Sequence, residues 1–377
     1  MPELLKRAEG RAFVDYGFHL APMMSQHIDE LETLVTQHGI PSFKIFMFYG
    51  GHGLHGKSDD QSSFLMTPPG ERYDYAHFEF VMRGLQKVRE VHPDLAPYVS
   101  VGLHCETADI MRAYTEIVER TSTSRGLAAY SESRPPHSEG LAIMNAAYLA
   151  HETGLANINL LHLSSRKAIE AALAVADLYP EIDFRREVTI GHLLADLENT
   201  SELGGKVNPP IRPREDRDAL WEALLAGHVD WVVTDHACCR DELKFGKDRQ
   251  DVFQAKAGFG GTEYLLPGLL TEGDRRGLSL GRVAELICKN PAERFGVLSK
   301  GDVAVGFDAD LVLVDPTEKY TVRAADSESS QEYTPFEGFE MTHRVKDVWL
   351  RGRQILGNGS VLGEPGGRFI ARPTAAA

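Results

Sequence analysis

Cysteines and long apolar runs are scarce in this sequence, and its 40 lysines and arginines are fewer than its 55 aspartates and glutamates. Its 377 residues include four cysteines, Cys105, Cys238, Cys239 and Cys288, without a Cys-x-x-Cys pair, which argues against a disulfide framework and the common zinc and redox motifs. The net charge of -15 argues against nucleic acid or an anionic membrane as the main partner. No apolar run approaches the roughly 18 residues of a membrane-spanning helix, and the N-terminus lacks a signal-peptide core, so we expect a cytoplasmic protein.

Short β-like runs alternate along the chain with stretches of helical periodicity. The runs that we predict to be strands cover residues 11–19, 41–49, 98–104, 158–163, 184–190 and 229–235. Helices are predicted between them, for example over residues 25–38, 75–91 and 216–226. This order predicts an α/β fold with about six parallel βα units, and two later runs, 310–314 and 345–352, predict a small β appendage.

Lys44 lies inside an apolar, aromatic-rich run, Pro-Ser-Phe-Lys-Ile-Phe-Met-Phe-Tyr, at residues 41–49. Burial of an unpaired ammonium is costly, so this side chain should reach solvent, pair with a carboxylate or be chemically modified. A lysine at a strand end that reaches solvent and a lysine that serves as a metal ligand are both open at this point.

His104, His162 and Asp235 lie within or at the ends of three further predicted strands. The carboxyl ends of the strands in a parallel α/β barrel meet at one face, where such barrels carry their chemistry. A single histidine at a strand end is usually a hydrogen-bonded structural residue, but several polar groups converging in a barrel mouth would need compensation. Imidazole and carboxylate ligands predict a divalent ion such as zinc, with an open position for water.

A series of motifs in this order resembles the cyclic amidohydrolases, the group of dihydropyrimidinase (hydantoinase), allantoinase and type I dihydroorotase in the amidohydrolase superfamily. The clearest are Leu-His-Cys-Glu at 103–106, Leu-His-Leu-Ser-Ser at 161–165, Lys-Val-Asn-Pro-Pro-Ile-Arg at 206–212, Thr-Asp-His-Ala at 234–237 and Gly-Phe-Gly-Gly-Thr-Glu at 258–263. Weaker matches extend the resemblance over nearly the whole chain.

The resemblance implies a (β/α)8 TIM barrel with a flanking β-sandwich, and hydrolysis of a cyclic amide or imide. Zn²⁺, as one or two ions, would be bound by Lys44 carboxylated by CO2, by His104 and His162, and by Asp235. Asp235 would also be the general base and acid, and Tyr49 would stabilise the oxyanion. Asn208 and Gly258 would contact the substrate, a hydantoin, dihydropyrimidine, allantoin or dihydroorotate.

The chain departs from the family in lacking the His-x-His motif of the first barrel strand; the nearest pattern is His52-Gly-Leu-His55. We expect the barrel to lack its first two strands and the β-sandwich to be a remnant. Three interpretations follow: an incomplete representation of a longer gene, a shortened enzyme with one metal ion, or a catalytically impaired or inactive relative that acts as a scaffold.

The expected organisation is an N-terminally incomplete barrel domain over residues 1–300, a β appendage over 301–372 and a disordered tail over 373–377. A homodimer or homotetramer is expected. Asn208 and Ala257 differ from the residues usual in hydantoinases, which favours the dihydroorotase and allantoinase branches. His192 is expected to be structural, Glu106 and Asp109 to be solvated or to support the metal ligands, and residues 50–72 to form a lid.

Overall fold

The computed structural model describes residues 1–47, 71–200, 203–245 and 248–375. Its central feature is a parallel sheet of five strands, which are hydrogen-bonded in the same order as they occur in the chain. The strands are β1 (Ser42–Phe46), β2 (Ser100–His104), β3 (Asn157–Leu160), β4 (Asp183–Thr189) and β5 (Trp231–Val233). Five of the six predicted βα strands are therefore present in this sheet.

The remaining prediction, a strand over residues 11–19, is wrong. In this region the described residues Tyr16 and Leu20 form isolated bridges, Tyr16 with Phe369 and Leu20 with Phe43 of β1. The Leu20 bridge includes a 2.9 Å hydrogen bond from the Lys44 N–H to the Leu20 carbonyl. The segment is divided between two partners, β1 and the end of the chain, so it does not form a continuous ladder.

Helices connect the strands and cover the sheet. The described α-helices are α1 (Pro2–Ala8), α2 (Ser25–Asp29), α3 (Leu31–His38), α4 (Tyr75–Val91), α5 (Ala108–Thr121), α6 (Leu127–Ser133), α7 (Pro136–Thr153), α8 (Arg166–Leu178), α9 (Ile190–Leu194), α10 (Arg214–Leu225), α11 (Asp241–Lys244), α12 (Leu265–Arg276), α13 (Leu280–Ala284) and α14 (Asn290–Arg294). A π-helical turn, Glu285–Lys289, joins α13 to α14. No helix in the described parts of the chain is both long and apolar enough to cross a membrane.

Helix α4 illustrates why these segments are helical and where they pack. Asp74 caps its first turn by accepting hydrogen bonds from the Ala76 and His77 N–H groups, and its buried apolar side chains recur every three or four residues. These are Phe78, Val81, Met82, Leu85 and Val88. Together with Ile45, Leu103 and other residues on one face of the sheet, they form the main core.

The C-terminal part of the chain forms antiparallel sheets, as the predicted appendage requires. A four-stranded sheet has the order β11-β10-β9-β6, and β7 pairs with β8. The strands are β6 (Leu311–Asp315), β7 (Tyr320–Thr321), β8 (Glu340–Met341), β9 (Arg344–Leu350), β10 (Arg353–Gly357) and β11 (Ser360–Val361). The proposed domain boundaries remain predictions, and Ala376 and Ala377 of the expected tail lie outside the described residues.

The register of the parallel sheet decides which polar residues share a face. Lys44 pairs with Gly102, so Lys44 and His104 point to the same side of β1 and β2. Gly102 pairs with Asn159 and Asn159 with Arg185, which places Glu187, two residues further along β4, on this side too. Glu187 pairs with Trp231 of β5. The sheet therefore has an apolar face under the helices and an opposite face that carries ionisable groups.

Candidate active site

Lys44 lies in the middle of β1 and is half-buried. Its ammonium nitrogen is 4.6 Å from the centroid of the Phe46 ring, which lies two residues along the same face. No carboxylate of the described residues forms an ion pair with it. Lys44 thus has an aromatic neighbour and lies on the face of the sheet that carries ionisable groups.

His104 ends β2, and a buried carboxylate holds one of its ring nitrogens. The Nε2 atom lies 2.6 Å from Oε2 of Glu106, and both side chains are buried. Burial lowers the pKa of His104, which favours the neutral imidazole. Glu106 is in turn bonded to Arg134, from Nε to Oε1 at 2.9 Å and from Nη2 to Oε2 at 2.5 Å.

The charge of Glu106 follows from these partners. Burial by itself would raise the pKa of the Glu106 carboxyl, but the Arg134 charge and the hydrogen bond from His104 outweigh it and lower the pKa to about 2. Glu106 is therefore an ionised acceptor. Of the alternatives predicted for Glu106, support of a proposed metal ligand fits this geometry, whereas solvation does not because the side chain is fully buried.

His162 follows β3 and has a left-handed backbone, with φ of 37°. This conformation interrupts the alternation of side chains along the strand, and the His162 ring lies 4.3 Å from the His104 ring, centroid to centroid. The His162 N–H donates to Oε1 of Glu187 at 3.1 Å. The residue is 2% exposed, yet neither Nδ1 nor Nε2 has a hydrogen-bond partner among the described residues.

Two unpartnered nitrogens on a buried imidazole need an explanation, because burial of an unsatisfied polar group is destabilising. Burial lowers the pKa of His162 well below its ordinary value, and the neighbouring His104 and Lys44 act in the same direction. A neutral imidazole offers a lone pair, which a divalent metal ion accepts. The two adjacent histidines thus fit a metal ion, and Lys44 would join them as an anionic ligand only in its carbamate form.

Asp235 follows β5 and, like His162, has a left-handed backbone, with φ of 46°. It is half-buried, and no described residue donates a hydrogen bond to its carboxylate. His104, His162 and Asp235 all lie at the carboxyl ends of their strands, as predicted. In the described part of the chain, however, Asp235 does not form a compact ligand cluster with both histidines.

Glu187 is a buried carboxyl on the same face that the sequence analysis did not select. Its Oε2 accepts a 2.8 Å hydrogen bond from Nε1 of Trp231. Burial raises the pKa of Glu187 to about 7, the charge of Asp235 adds to this rise, and the Trp231 hydrogen bond opposes it. The alternation of side chains along β4 could have indicated that Glu187 lies on this face, since it is two positions before the end of the strand.

The predicted substrate-binding residues have protein partners, and Tyr49 lies outside the described residues. Oδ1 of Asn208 accepts a hydrogen bond from the Tyr130 hydroxyl. The N–H of Gly258 donates to the Lys206 carbonyl at 2.8 Å, and its carbonyl accepts from Nζ of Lys244 at 2.6 Å. Gly258 is therefore buried, and both its backbone N–H and its carbonyl are hydrogen-bonded to other parts of the chain.

His192 has a structural role, as expected. Nδ1 is 2.8 Å from Oγ1 of Thr189, and Nε2 is 3.0 Å from the Pro209 carbonyl. Burial lowers the pKa of His192 to about 4, so the ring is neutral at ordinary pH. The four cysteines are free thiols, and the region predicted as a lid lies almost entirely outside the described residues.

One other cluster of potential ligands exists among the described residues, formed by Asp15, Asp308 and Asp310. The ammonium group of Lys300 already balances the negative charge of this cluster. Nζ of Lys300 lies 2.9 Å from Asp15 and 3.0 Å from Asp308, and it also pairs with Asp310. We therefore interpret this cluster as an ion-pair network.

The sequence was compared with known protein families and with individual proteins. The sequence matches the profile of the amidohydrolase family over residues 138–355. An allantoinase of Rubrobacter xylanophilus is 38% identical over 213 residues, which cover 56% of this chain and 46% of the relative. An allantoinase of Deinococcus radiodurans is 30% identical over 367 residues, which cover 96% of this chain and 74% of the relative.

A solved structure supports the same relationship. The L-hydantoinase (dihydropyrimidinase) of Arthrobacter aurescens superposes with a TM-score of 0.84 at 26% identity, covering 98% of this chain and 76% of that one. The chain therefore spans about half to three quarters of the length of these proteins. The match agrees with the predicted α/β fold class.

Proposed function

Because the chain belongs to the amidohydrolase family, we propose that it hydrolyses a C–N bond in the ring of a cyclic amide or imide. The family predicted from the sequence is confirmed. Relatives named allantoinase and hydantoinase support the proposed enzyme class. The proposed substrates are the hydantoin, dihydropyrimidine, allantoin and dihydroorotate types.

The pair formed by His104 and His162 is the observation that carries this proposal. Two buried neutral imidazoles lie in contact, and neither nitrogen of His162 has a hydrogen-bond partner among residues 1–47, 71–200, 203–245 and 248–375. This arrangement favours a divalent metal ion over a purely structural role. We propose zinc, with Lys44 as a carbamate formed from CO2 and Asp235 as a further ligand. When bound, such an ion would make a water molecule more acidic and polarise the carbonyl of the substrate.

Asp235 is the proposed proton carrier. Its carboxylate is half-buried at the carboxyl end of β5, with no donor among the described residues to compete for its lone pairs. It would take a proton from the attacking water and deliver it to the ring nitrogen as the C–N bond breaks. Tyr49 is the proposed oxyanion donor, and Asn208 and Gly258 are the proposed substrate contacts.

A substrate panel tests the proposal directly. Hydantoin, dihydrouracil, allantoin and dihydroorotate would be incubated with the protein in the presence of zinc and bicarbonate. We expect one or more to be hydrolysed, and Asp235→Asn to lower kcat by roughly 10²–10⁴-fold, the usual contribution of general acid–base catalysis. Asp94→Asn, an exposed aspartate after α4, is the matched control and should leave the rate unchanged.

Metal content separates this proposal from a scaffolding role. The purified protein should contain stoichiometric divalent metal, which His162→Ala should lose and His228→Ala, an exposed histidine, should retain. A ¹³C NMR signal from ¹³CO2-treated protein that is missing in Lys44→Ala would support the carbamate. Metal-free protein that is inactive on the whole panel would argue for a scaffold.

Assembly and location complete the proposal. We propose a homodimer or homotetramer in the cytoplasm, with a small cyclic amide as the ligand. Strand β6 supports self-association, since it is an edge of the C-terminal sheet and exposes Leu311, Val312 and Leu313. Light scattering after size-exclusion chromatography measures the oligomeric state, and cell fractionation measures the location.

A further inference from the structure

Glu106 forms a buried bridge between an arginine and one of the two proposed metal-binding histidines. Its side chain is inaccessible to solvent, and it accepts both hydrogen bonds that Arg134 donates. Oε1 accepts from Nε of Arg134, while Oε2 accepts from Nη2 of Arg134 and faces Nε2 of His104. Arg134 therefore fixes the position of the carboxylate that His104 meets.

The two hydrogen bonds from Arg134 determine to which side the proton between Glu106 and His104 is assigned. A carboxylate that accepts two hydrogen bonds from one guanidinium remains ionised and has no proton to donate. If Nε2 carried a lone pair, it would face a negatively charged oxygen at 2.6 Å, which is repulsive. A neutral His104 ring with its proton on Nε2 has its lone pair on Nδ1.

We propose that Glu106, held by Arg134, sets His104 in the Nε2–H tautomer and thereby selects Nδ1 as the nitrogen that His104 presents to a metal ion. The tautomer half of this inference is independent of the proposed function, and the metal half rests on it. Glu106 is a positioning residue, because it acts through His104. In the described part of the chain, neither ring nitrogen of His162 has such a carboxylate partner, so the two histidines differ in what holds their rings.

The chain contains a matched control for Glu106. Glu139 is also buried and paired with an arginine, since Nη2 of Arg212 lies 3.0 Å from its Oε2. The remaining described partners of Glu139 are Ser164 and Ser165. Glu106→Gln and Glu139→Gln thus both neutralise a buried carboxylate beside a guanidinium, but only the first also changes a contact to a histidine.

The first experiment reads the tautomer in metal-free protein labelled with ¹⁵N-histidine. The ring signals of His104 would be assigned by their loss in His104→Gln. We expect the Nε2–H tautomer in the wild-type protein and in Glu139→Gln, and a mixture of tautomers in Glu106→Gln, because a glutamine side chain can either donate or accept. A wild-type His104 with its proton on Nδ1 would overturn the proposal.

The second experiment measures Co²⁺ binding to the metal-free protein by absorption spectroscopy. Loss of an outer-shell partner typically weakens metal binding by about 10–100-fold, which we expect for Glu106→Gln but not for Glu139→Gln. Equal weakening in both variants would refute a specific role for Glu106. If Glu106→Gln does not fold, Arg134→Lys retains the positive charge but loses the double hydrogen bond, and it should also produce mixed tautomers and weaker binding.

The two experiments separate the two proposals. A wild-type protein that has the Nε2–H tautomer but binds no Co²⁺ would contradict the proposed metal site and the metal half of this inference, while the tautomer half would stand.

Discussion

Lys300 shows how a single side chain joins distant parts of the chain. Its ammonium contacts Asp15 of the N-terminal segment and Asp308 and Asp310, which precede β6. Asp15 also accepts a hydrogen bond from the Arg368 N–H near the end of the chain. The lysine side chain is largely buried, with 16% of its surface exposed, so its charge is important for balancing three carboxylates.

At the residue scale, we expect Lys300→Met to be clearly destabilising. It would leave three neighbouring carboxylates without their shared cation, and hydrogen bonds to charged groups contribute about 1.5–3 kcal/mol each when well formed. We expect the free energy of unfolding to fall by about 2–4 kcal/mol, measured by urea denaturation. Lys289→Met, in an exposed pair with Glu293 at 4.0 Å, should change it by less than about 0.5 kcal/mol.

The same network predicts how stability depends on pH. Burial alone would raise the pKa of Asp15, but hydrogen bonds from Arg351 and Lys300 lower it from 3.8, and a hydrogen bond from Lys300 lowers the pKa of Asp308. A lowered carboxyl pKa stabilises the fold above the unfolded value, about 4, and this contribution is lost as the pH falls further.

The contribution of Lys300 to stability changes with pH in the opposite direction, because it is lost at alkaline pH. Burial alone would lower its pKa, but hydrogen bonds to Asp310, Asp15 and Asp308 raise it above 10.5, so its contribution is lost as the pH rises beyond that value. The difference in unfolding free energy between wild type and Lys300→Met should be constant from about pH 5 to 9 and shrink below pH 4. Unfolding curves over pH 3–9 measure it, and a difference that grew on acidification would contradict the network.

At the scale of elements, Gly258 brings together the segment after β5 and the loop before α12. Its φ is +110°, and a Cβ atom at this position would lie 2.4 Å from the Ala237 carbonyl oxygen. The two segments are also joined by a hydrogen bond from the Ala237 N–H to the Phe259 carbonyl. Because Ala237 is two residues from Asp235, this close approach sets the position of the proposed proton carrier.

Gly258→Ala should therefore be more harmful than a change at an ordinary glycine with positive φ. Gly227 is the control: its φ is +83°, and a Cβ there meets no atom within 4 Å. Gly227→Ala adds only backbone strain of about 1 kcal/mol, whereas Gly258→Ala adds a steric clash and should cost at least about 2–3 kcal/mol. Urea midpoints compare the two, and equal losses would show that the close approach is unimportant.

At the scale of the whole molecule, the end of the chain closes against its beginning. Tyr16 exchanges hydrogen bonds with this end, from its N–H to the Arg368 carbonyl and from the Ile370 N–H to its own carbonyl. The Phe18 and Phe369 rings stack with centroids 5.5 Å apart. Arg372 is buried and donates a 2.7 Å hydrogen bond to the Phe18 carbonyl.

Removal of residues 365–377 should destabilise the sheet edge as well as the C-terminal part. It deletes these contacts and uncovers the segment that bridges β1 through Leu20, next to Lys44. We expect a lower thermal unfolding temperature and faster hydrogen exchange in β1, measured by calorimetry and mass spectrometry. An unchanged β1 in this deletion would show that the two ends are independent.

The sequence by itself determined the α/β class, five of the strands and the positions of His104, His162 and Asp235 at strand ends. These features follow from local hydrophobic periodicity and from the common direction of parallel strands, so they can be read over short windows. The family resemblance added the proposed roles, which periodicity alone does not contain.

Only the tertiary structure decided how those residues are supported. Glu106 meets Arg134 across 28 positions of the chain, and Asp15 meets Arg351 across 336, so no local pattern reports either pairing. The burial of His162 and of Glu187 depends on the packing of several strands together. A charge or lone pair acquires its chemical role from its neighbours, and folding brings those neighbours from remote parts of the sequence.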